Sequence, residues 1–292
     1  MKNINKNIII QNGFPAIFFG LLLSAPLILK PLHADSLTPI QETIDFNQPA
    51  QASISIIIDD MGYKLKSGLR AVNLPGAFTY SFLPHSPHAI PLSESAHQKD
   101  KEIMLHLPMQ SISGKKLGPG GLLSSMTEQE FDESLSSSIN SIPHIHGFNN
   151  HMGSLLTKSQ LWMTRLMRKM TKDKDLFFVD SKTTNKSIAL QVARSQGIQS
   201  IPRDIFIDHE MTPRFIKQQL SKLIKRAKQK GTALAIAHPK TLTLSMLEKW
   251  LPTLKQQGIN LIPVSQLIQL KRQGRIASIK PYHPISDLGA KY

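Results

Sequence analysis

Two adjacent carboxylates, Asp59 and Asp60, follow the apolar run Ile54-Ser55-Ile56-Ile57-Ile58 and precede Met61-Gly62. A run of this length bounded by a turn signal reads as a strand covered on both faces. In α/β folds chemistry collects beyond the carboxyl ends of such strands. Neighbouring strand side chains point to opposite faces, so both carboxylates cannot enter the core, and two close anions repel unless a cation or a shared proton relieves them. A division of labour meets both constraints: one Asp holds a metal ion and the other stays free as a base. A polar strand-to-loop turn, with Gly62 supplying positive φ, would explain the same residues without chemistry. What favours chemistry is company. His106, Asn150, His151, Asp180 and His238 also lie at or just past the ends of apolar segments. A carboxylate with two neutral imidazoles suits Zn2+ or a similar divalent ion with an open position for water.

For these residues to meet, the strands must run parallel and end on one face. After the first strand, residues 64–72 read as a short helix and 77–83 as a second strand, stopped by Pro84. A third strand leads through His106 to Gln110. Thr127 and Glu130 have the spacing of a capping box and open a helix to about Asn140. A fourth strand ends among Asn149, Asn150 and His151. Thr157 is placed to cap a helix with apolar positions Leu161, Leu166, Met167 and Met170. Residues 176–181 form a fifth strand ending at Asp180, and a helix over 187–196 stops at Gly197. A sixth strand covers 205–209. Thr212-Pro213 begins a long basic helix that ends at Gly231. The seventh strand, 233–237, delivers His238, and a helix over 244–257 leads to a last strand at 259–264. The alternation predicts parallel β/α units closing into a distorted (β/α)7-8 barrel over residues 53–270.

The rest of the chain bounds where such a barrel would work. Lys2 and Lys6 precede an apolar run from Phe14 to Leu29, which reads as a signal peptide, 1–34, cleaved after Ala34. Residues 35–52 read as a linker and 271–292 as a basic tail. There is no cysteine, which excludes thiol catalysis and cysteine-ligated zinc and leaves the core to stabilise an exported chain. The net charge is +15, and losing 1–34 removes only Lys2, Lys6 and Lys30, so the remainder stays strongly basic. Behind a signal peptide the polyanions within reach are envelope glycans, lipid head groups and cell-wall polymers. Aromatics are 6% of the chain, without a basic ribbon interleaved with aromatics, so no nucleic-acid partner is expected. No stable membrane span is expected after signal cleavage.

Six ordered segments, Ile57 to Gly62, His106 to Gln110, Gly147 to Ser154, Phe178 to Ser181, Arg203 to Asp208 and Ala237 to Pro239, resemble the divergent polysaccharide deacetylase family. That family is distantly related to carbohydrate esterase family 4, whose members use a distorted β/α barrel and a divalent metal to remove acetyl groups from N-acetylated sugars. The resemblance implies Asp59 as general base, Asp60 as metal ligand and His238 as general acid. The esterases place two metal-binding histidines four apart, whereas here His106 is followed at that spacing by Gln110, a poor ligand. Chemistry and chain order then nominate His151 for the missing imidazole, giving Asp60, His106 and His151 as the expected metal set. Asp180 is the further candidate for a catalytic carboxylate. The expected protein is a deacetylase of the periplasm or cell envelope acting on a polysaccharide or peptidoglycan. A glycan-binding or envelope-organising protein that keeps the barrel without turnover is the alternative, and a metal hydrolase of other specificity is a third.

Overall fold

The computed structural model describes residues 52–173 and 175–278. The expected signal peptide, nearly all of the expected linker (35–51) and the end of the expected tail (279–292) lie outside the described residues. The chain runs β1 (Ala52–Met61), α1 (Leu65–Val72), β2 (Thr79–Phe82), α2 (Ala89–His97), β3 (Glu102–Met109), α3 (Glu128–Asn140), β4 (Ile145–Met152) and α4 (Gln160–Asp173). It continues through β5 (Phe177–Asp180), α5 (Ala189–Ser195), β6 (Ser200–Pro202), β7 (Ile205–Phe206), α6 (Pro213–Lys230), β8 (Thr232–Ala237), α7 (Thr241–Trp250), β9 (Ile259–Leu261) and α8 (Val264–Ser278).

These strands make one sheet in the order β6-β5-β4-β3-β2-β1-β8-β7, with β9 paired to the start of β1. Every pair is parallel. The two ends of that path, β6 and β7, are consecutive in the chain and separated only by Arg203 and Asp204. The Arg203 N–H donates to the Asp180 carbonyl at 3.0 Å, while the Asp204 N–H donates to the Leu234 carbonyl at 2.9 Å. The sheet therefore curls until two residues bridge its ends without a ladder between them. This is the distorted barrel of the (β/α)7-8 type expected from the sequence.

Alternation along the strands sorts the apolar residues onto two faces. Ile54, Ile56 and Ile58 of β1 and Ala233, Ala235 and Ala237 of β8 pack with the surrounding helices α1 to α7. Ile57, Met104, Val179, Leu234 and Ile236 face the other way and pack with Val264, Leu267 and Ile268 of α8. Burying such a side chain contributes roughly 1.5–3 kcal/mol, so the parity of each strand is strongly held. Counting on by two from the second set reaches Asp59, His106 and His238. The inner face that is apolar at its amino end is thus ionisable at its carboxyl end.

Local signals set the element ends. Thr127 and Glu130 form the expected capping box. The Thr212 hydroxyl accepts the Phe215 N–H, and Gly231 closes α6 in the left-handed region. Thr157 caps nothing: it is buried and its hydroxyl donates to the Gly153 carbonyl at 2.6 Å, while the Ser159 hydroxyl accepts the Trp162 N–H at the start of α4. Leu161 faces solvent rather than the core. Strand β6 was not foreseen, because three residues ending in proline carry almost no periodicity. Helix α8 runs on through Lys271 to Ser278, past the point at which the sequence suggested a tail.

Candidate metal and acid–base site

The register of β1 against β2 slips at the two aspartates: Ile58 faces Tyr80 and Met61 faces Phe82, so two residues of β1 oppose Ser81 alone. This is a β-bulge, and its second residue, Asp60, has φ +55°. Aspartate is among the few residues that tolerate that conformation. The bulge breaks the alternation, so the expectation that the two carboxylates face opposite sides does not hold. Both reach one imidazole: His106 Nε2 lies 3.7 Å from Asp59 Oδ2 and 3.3 Å from Asp60 Oδ1. Gly62 follows with φ +116°, where a Cβ would meet Ser86 Oγ at 1.8 Å, so only glycine fits after the bulge.

Strands β3 and β4 supply the imidazoles. His106 pairs with Asn149 and Pro108 with His151. Asn149 and His151 therefore share a face of β4 and flank His106. Asp60 Oδ1, His106 Nε2 and His151 Nδ1 form a triangle with sides of 3.3, 3.1 and 3.1 Å. Ligand atoms about 2.1 Å from a common ion lie roughly 3.0 Å apart in octahedral and 3.4 Å apart in tetrahedral geometry. Asp60 Oδ1 is buried and receives no aligned hydrogen bond despite its two nitrogen neighbours. His151 Nδ1 and His106 Nε2 are within hydrogen-bond distance of each other, and the three atoms lie close enough together to share one divalent ion. Burial works to raise the Asp60 pKa, yet the His106 and His151 imidazoles overcome it and hold the carboxyl far below the usual range.

Asn149 ties this set to the other aspartate. Its amide nitrogen donates to Asp59 Oδ1 at 2.8 Å, and its oxygen accepts from the Ser81 hydroxyl at 2.7 Å. The same oxygen lies 2.7 Å from His106 Nδ1, which must then carry the proton and leave the Nε2 lone pair for a metal. Asp59 is 3% exposed, and burial pushes its pKa up against the pull of His106, His238 and the Asn149 amide. A base poised above the ordinary carboxylate range is the result.

On the other side His238 follows directly after β8. Its Nδ1 lies 2.8 Å from Asp208 Oδ1, and its backbone N–H and the Thr243 hydroxyl donate to Asp208 Oδ2 at 2.9 and 2.8 Å. Asp208 thereby fixes the ring with Nε2 towards Asp60 Oδ2, 3.7 Å away. Burial pulls the His238 pKa down, but Asp208 and the site aspartates outweigh it and raise it. Burial alone would raise the pKa of Asp208; the His238 bonds and the Thr243 hydroxyl lower it instead.

A sequence model of the family described as divergent polysaccharide deacetylase matches residues 56–268. The chain belongs to that family. An uncharacterised protein of Haemophilus influenzae is 33% identical over 233 residues, covering 80% of this chain and 81% of the relative. YibQ of Escherichia coli, also uncharacterised, is 31% identical over 215 residues, 74% of this chain and 67% of that one. Among solved structures, an uncharacterised protein of Agrobacterium tumefaciens shares the fold at TM-score 0.72 and 22% identity, over 75% of this chain and 90% of that one.

In this member of the divergent family, some residues grouped by sequence do other work. Asp180 is one place off the inner parity of β5, and its oxygens accept the Lys182 N–H at 2.8 Å and the Ser187 hydroxyl at 2.9 Å. It holds the loop to α5 and is not part of the metal triangle. Asn150 also faces away from the triangle, accepting the Ser181 N–H and donating to the Met152 carbonyl. Gln110 Oε1 accepts the Ser124 N–H and hydroxyl, so it braces a loop. Asn149 and Asp208 are the residues that site selection by charge and strand end passed over. Arg203 is a third: it donates to the Ser181 and Lys182 carbonyls, stacks 4.8 Å over Phe206 and lies within electrostatic reach of Asp59. A cavity of about 270 Å3 opens on Asp60, His151 and His238.

Proposed function

We propose that the protein is a metal-dependent carbohydrate deacetylase of the cell envelope that removes N-acetyl groups from a polysaccharide or peptidoglycan. The single observation carrying this reading is the triangle of Asp60, His106 and His151 with Asp59 on one side and His238 on the other. A hydrolase of an amide needs a polarised carbonyl, a base for water and an acid for the leaving nitrogen. An ion held by the three ligands would supply Lewis-acid polarisation of the acyl carbonyl, and one oxygen with two imidazole nitrogens fits Zn2+ or a similar divalent ion. Asp59 Oδ2 is free of the Asn149 bond and takes the proton of the attacking water. His238, whose proton burial disfavours but the contact with Asp208 favours, delivers a proton from Nε2 to the departing amine. Asn149 keeps Asp59 and His106 aligned while the proton moves.

A site outside the cytoplasm rests on the Lys2, Lys6 and apolar-run pattern and on the basic surface suited to envelope polymers. Mass spectrometry of the N-terminal peptide from the native cell tests it, and an intact Met1 on a cytosolic species would contradict it. The activity is tested by acetate release from N-acetylated oligosaccharides and peptidoglycan fragments, with metal content measured alongside. Release that stops on chelation and returns with Zn2+ supports the reading. Glycan binding without release would replace it with that of a binding protein.

A further inference from the structure

Besides Asp60, His151 and His238, the cavity is lined by two further charged residues, Lys64 and Lys240. Lys64 follows β1, and Lys240 follows β8, the strand paired with it. The helices they precede are clamped together, because Arg70 of α1 donates from Nε and Nη2 to the Glu248 carboxylate of α7 at 2.8 and 2.7 Å. The two lysines are thereby kept at one mouth.

Each lysine stands at the N-cap of its helix, makes no side-chain capping bond and has no acid in the turn that follows. Local stability favours the opposite choice. N-caps favour Ser, Thr, Asp and Asn, and a cation there opposes the helix dipole. Thr127 on α3 and Thr212 on α6 follow that rule, whereas His88 on α2 and Ile188 on α5 depart from it as the two lysines do. Of these four departures only Lys64 and Lys240 line the cavity, and two lysines placed against helix dipoles at one opening fit a functional demand better than a stabilising one. Among the described residues no carboxylate pairs with either ammonium group. The one acid lining the cavity, Asp60, is already engaged with His106 and His151.

Accepting the deacetylase reading above, we infer that Lys64 and Lys240 bind an oxyanion, a carboxylate or a phosphate ester, carried by the substrate glycan. The substrate class is then an anionic acylated glycan. The cavity of about 270 Å3 is small for a ligand site, at or below the ordinary range of roughly 300–1,000 Å3. It has room for one acylated sugar, which places the anionic group on that sugar or on its immediate neighbour.

The test is calorimetric binding to the full metal-loaded chain. Three disaccharide probes of similar size are compared: neutral di-N-acetylglucosamine, the same disaccharide bearing a 6-phosphate, and N-acetylglucosamine linked to N-acetylmuramic acid, which carries a carboxylate. Wild type should prefer at least one anionic probe over the neutral one by about tenfold, and the preferred probe identifies the oxyanion. Lys64→Gln/Lys240→Gln should abolish that preference with its metal content unchanged, and raising the salt should erode it in wild type. Equal affinity for all three probes, or a preference that survives the double variant, overturns the inference. The deacetylase reading fails separately. A preference without acetate release leaves the anion site standing, whereas acetate released equally from charged and neutral probes with no preference leaves only the deacetylase.

Discussion

Glu102 and His106 lie on the same face of β3, Glu102 at its first residue and His106 four residues on, and both are buried. Their surroundings differ in kind. Glu102 accepts from the Thr79 hydroxyl at 2.8 Å and from the Val264 and Ser265 N–H groups at 2.8 and 3.1 Å, so its carboxylate seats the first turn of α8. Every donor there is neutral, and the charge complements a helix N-terminus. His106 instead faces Asp59, Asp60 and His151, and an oxygen of that group is left without an aligned donor. Burial of charge does not by itself mark a functional site. What separates the two ends is whether the protein's own donors complete the shell.

The largest expected effect separates the ends by activity. Asp59→Asn should reduce acetate release by roughly 10²–10⁴-fold while the bound ion and the thermal unfolding midpoint stay near wild type. Glu102→Gln should leave turnover per folded molecule intact. Equal loss of activity in both variants would erase the distinction. His238→Ala should behave as Asp59→Asn does.

Next comes metal affinity against pH. In the metal-free site burial disfavours the His106 cation, but Asp59 and Asp60 more than compensate and raise the pKa to about 9. Below that pH an entering ion must displace the proton, so affinity should fall about tenfold per pH unit between pH 9 and pH 7. The same shift predicts that the charged His106 stabilises metal-free protein fully below its unfolded pKa of about 6.5, and that this contribution is lost as pH rises through about 9. Competition titrations with a coloured chelator and melts of chelated protein check the two signs. A pH-independent affinity would break the argument.

At the amino end the effect is on stability alone. Glu102→Gln turns one acceptor into a donor facing backbone N–H groups, which should cost about 1–3 kcal/mol in denaturant unfolding with no change in metal content. The smallest effect sharpens the comparison at the cavity mouth: Lys64→Ser installs a residue suited to an N-cap and should raise stability by up to about 1 kcal/mol. A loss of stability there would mean that Lys64 has a structural role.

Much of this was legible before any coordinates. Strand parity carried from Ile57 to Asp59, from Met104 to His106 and from Ile236 to His238, so three site residues followed from period two. The same parity counted from Val179 passes over Asp180 and explains its placement outside the triangle. Asp60 lies beside the imidazoles through a bulge with positive φ, which leaves no periodic trace in the sequence. Asn149 carries no charge and Asp208 sits 30 residues from the imidazole it orients, so neither stood out by type or spacing. Arg203 acts where β6 and β7 meet, a closure that two short strands barely announce.

The central claim is that Asp60, His106 and His151 hold one divalent ion, and elemental analysis of protein purified without chelator tests it most directly. One ion per chain is expected in wild type, with occupancy sharply reduced in His151→Ala, because two ligands seldom retain an ion that three hold. A wild type free of metal even after incubation with Zn2+, or undiminished stoichiometry in His151→Ala, would contradict it.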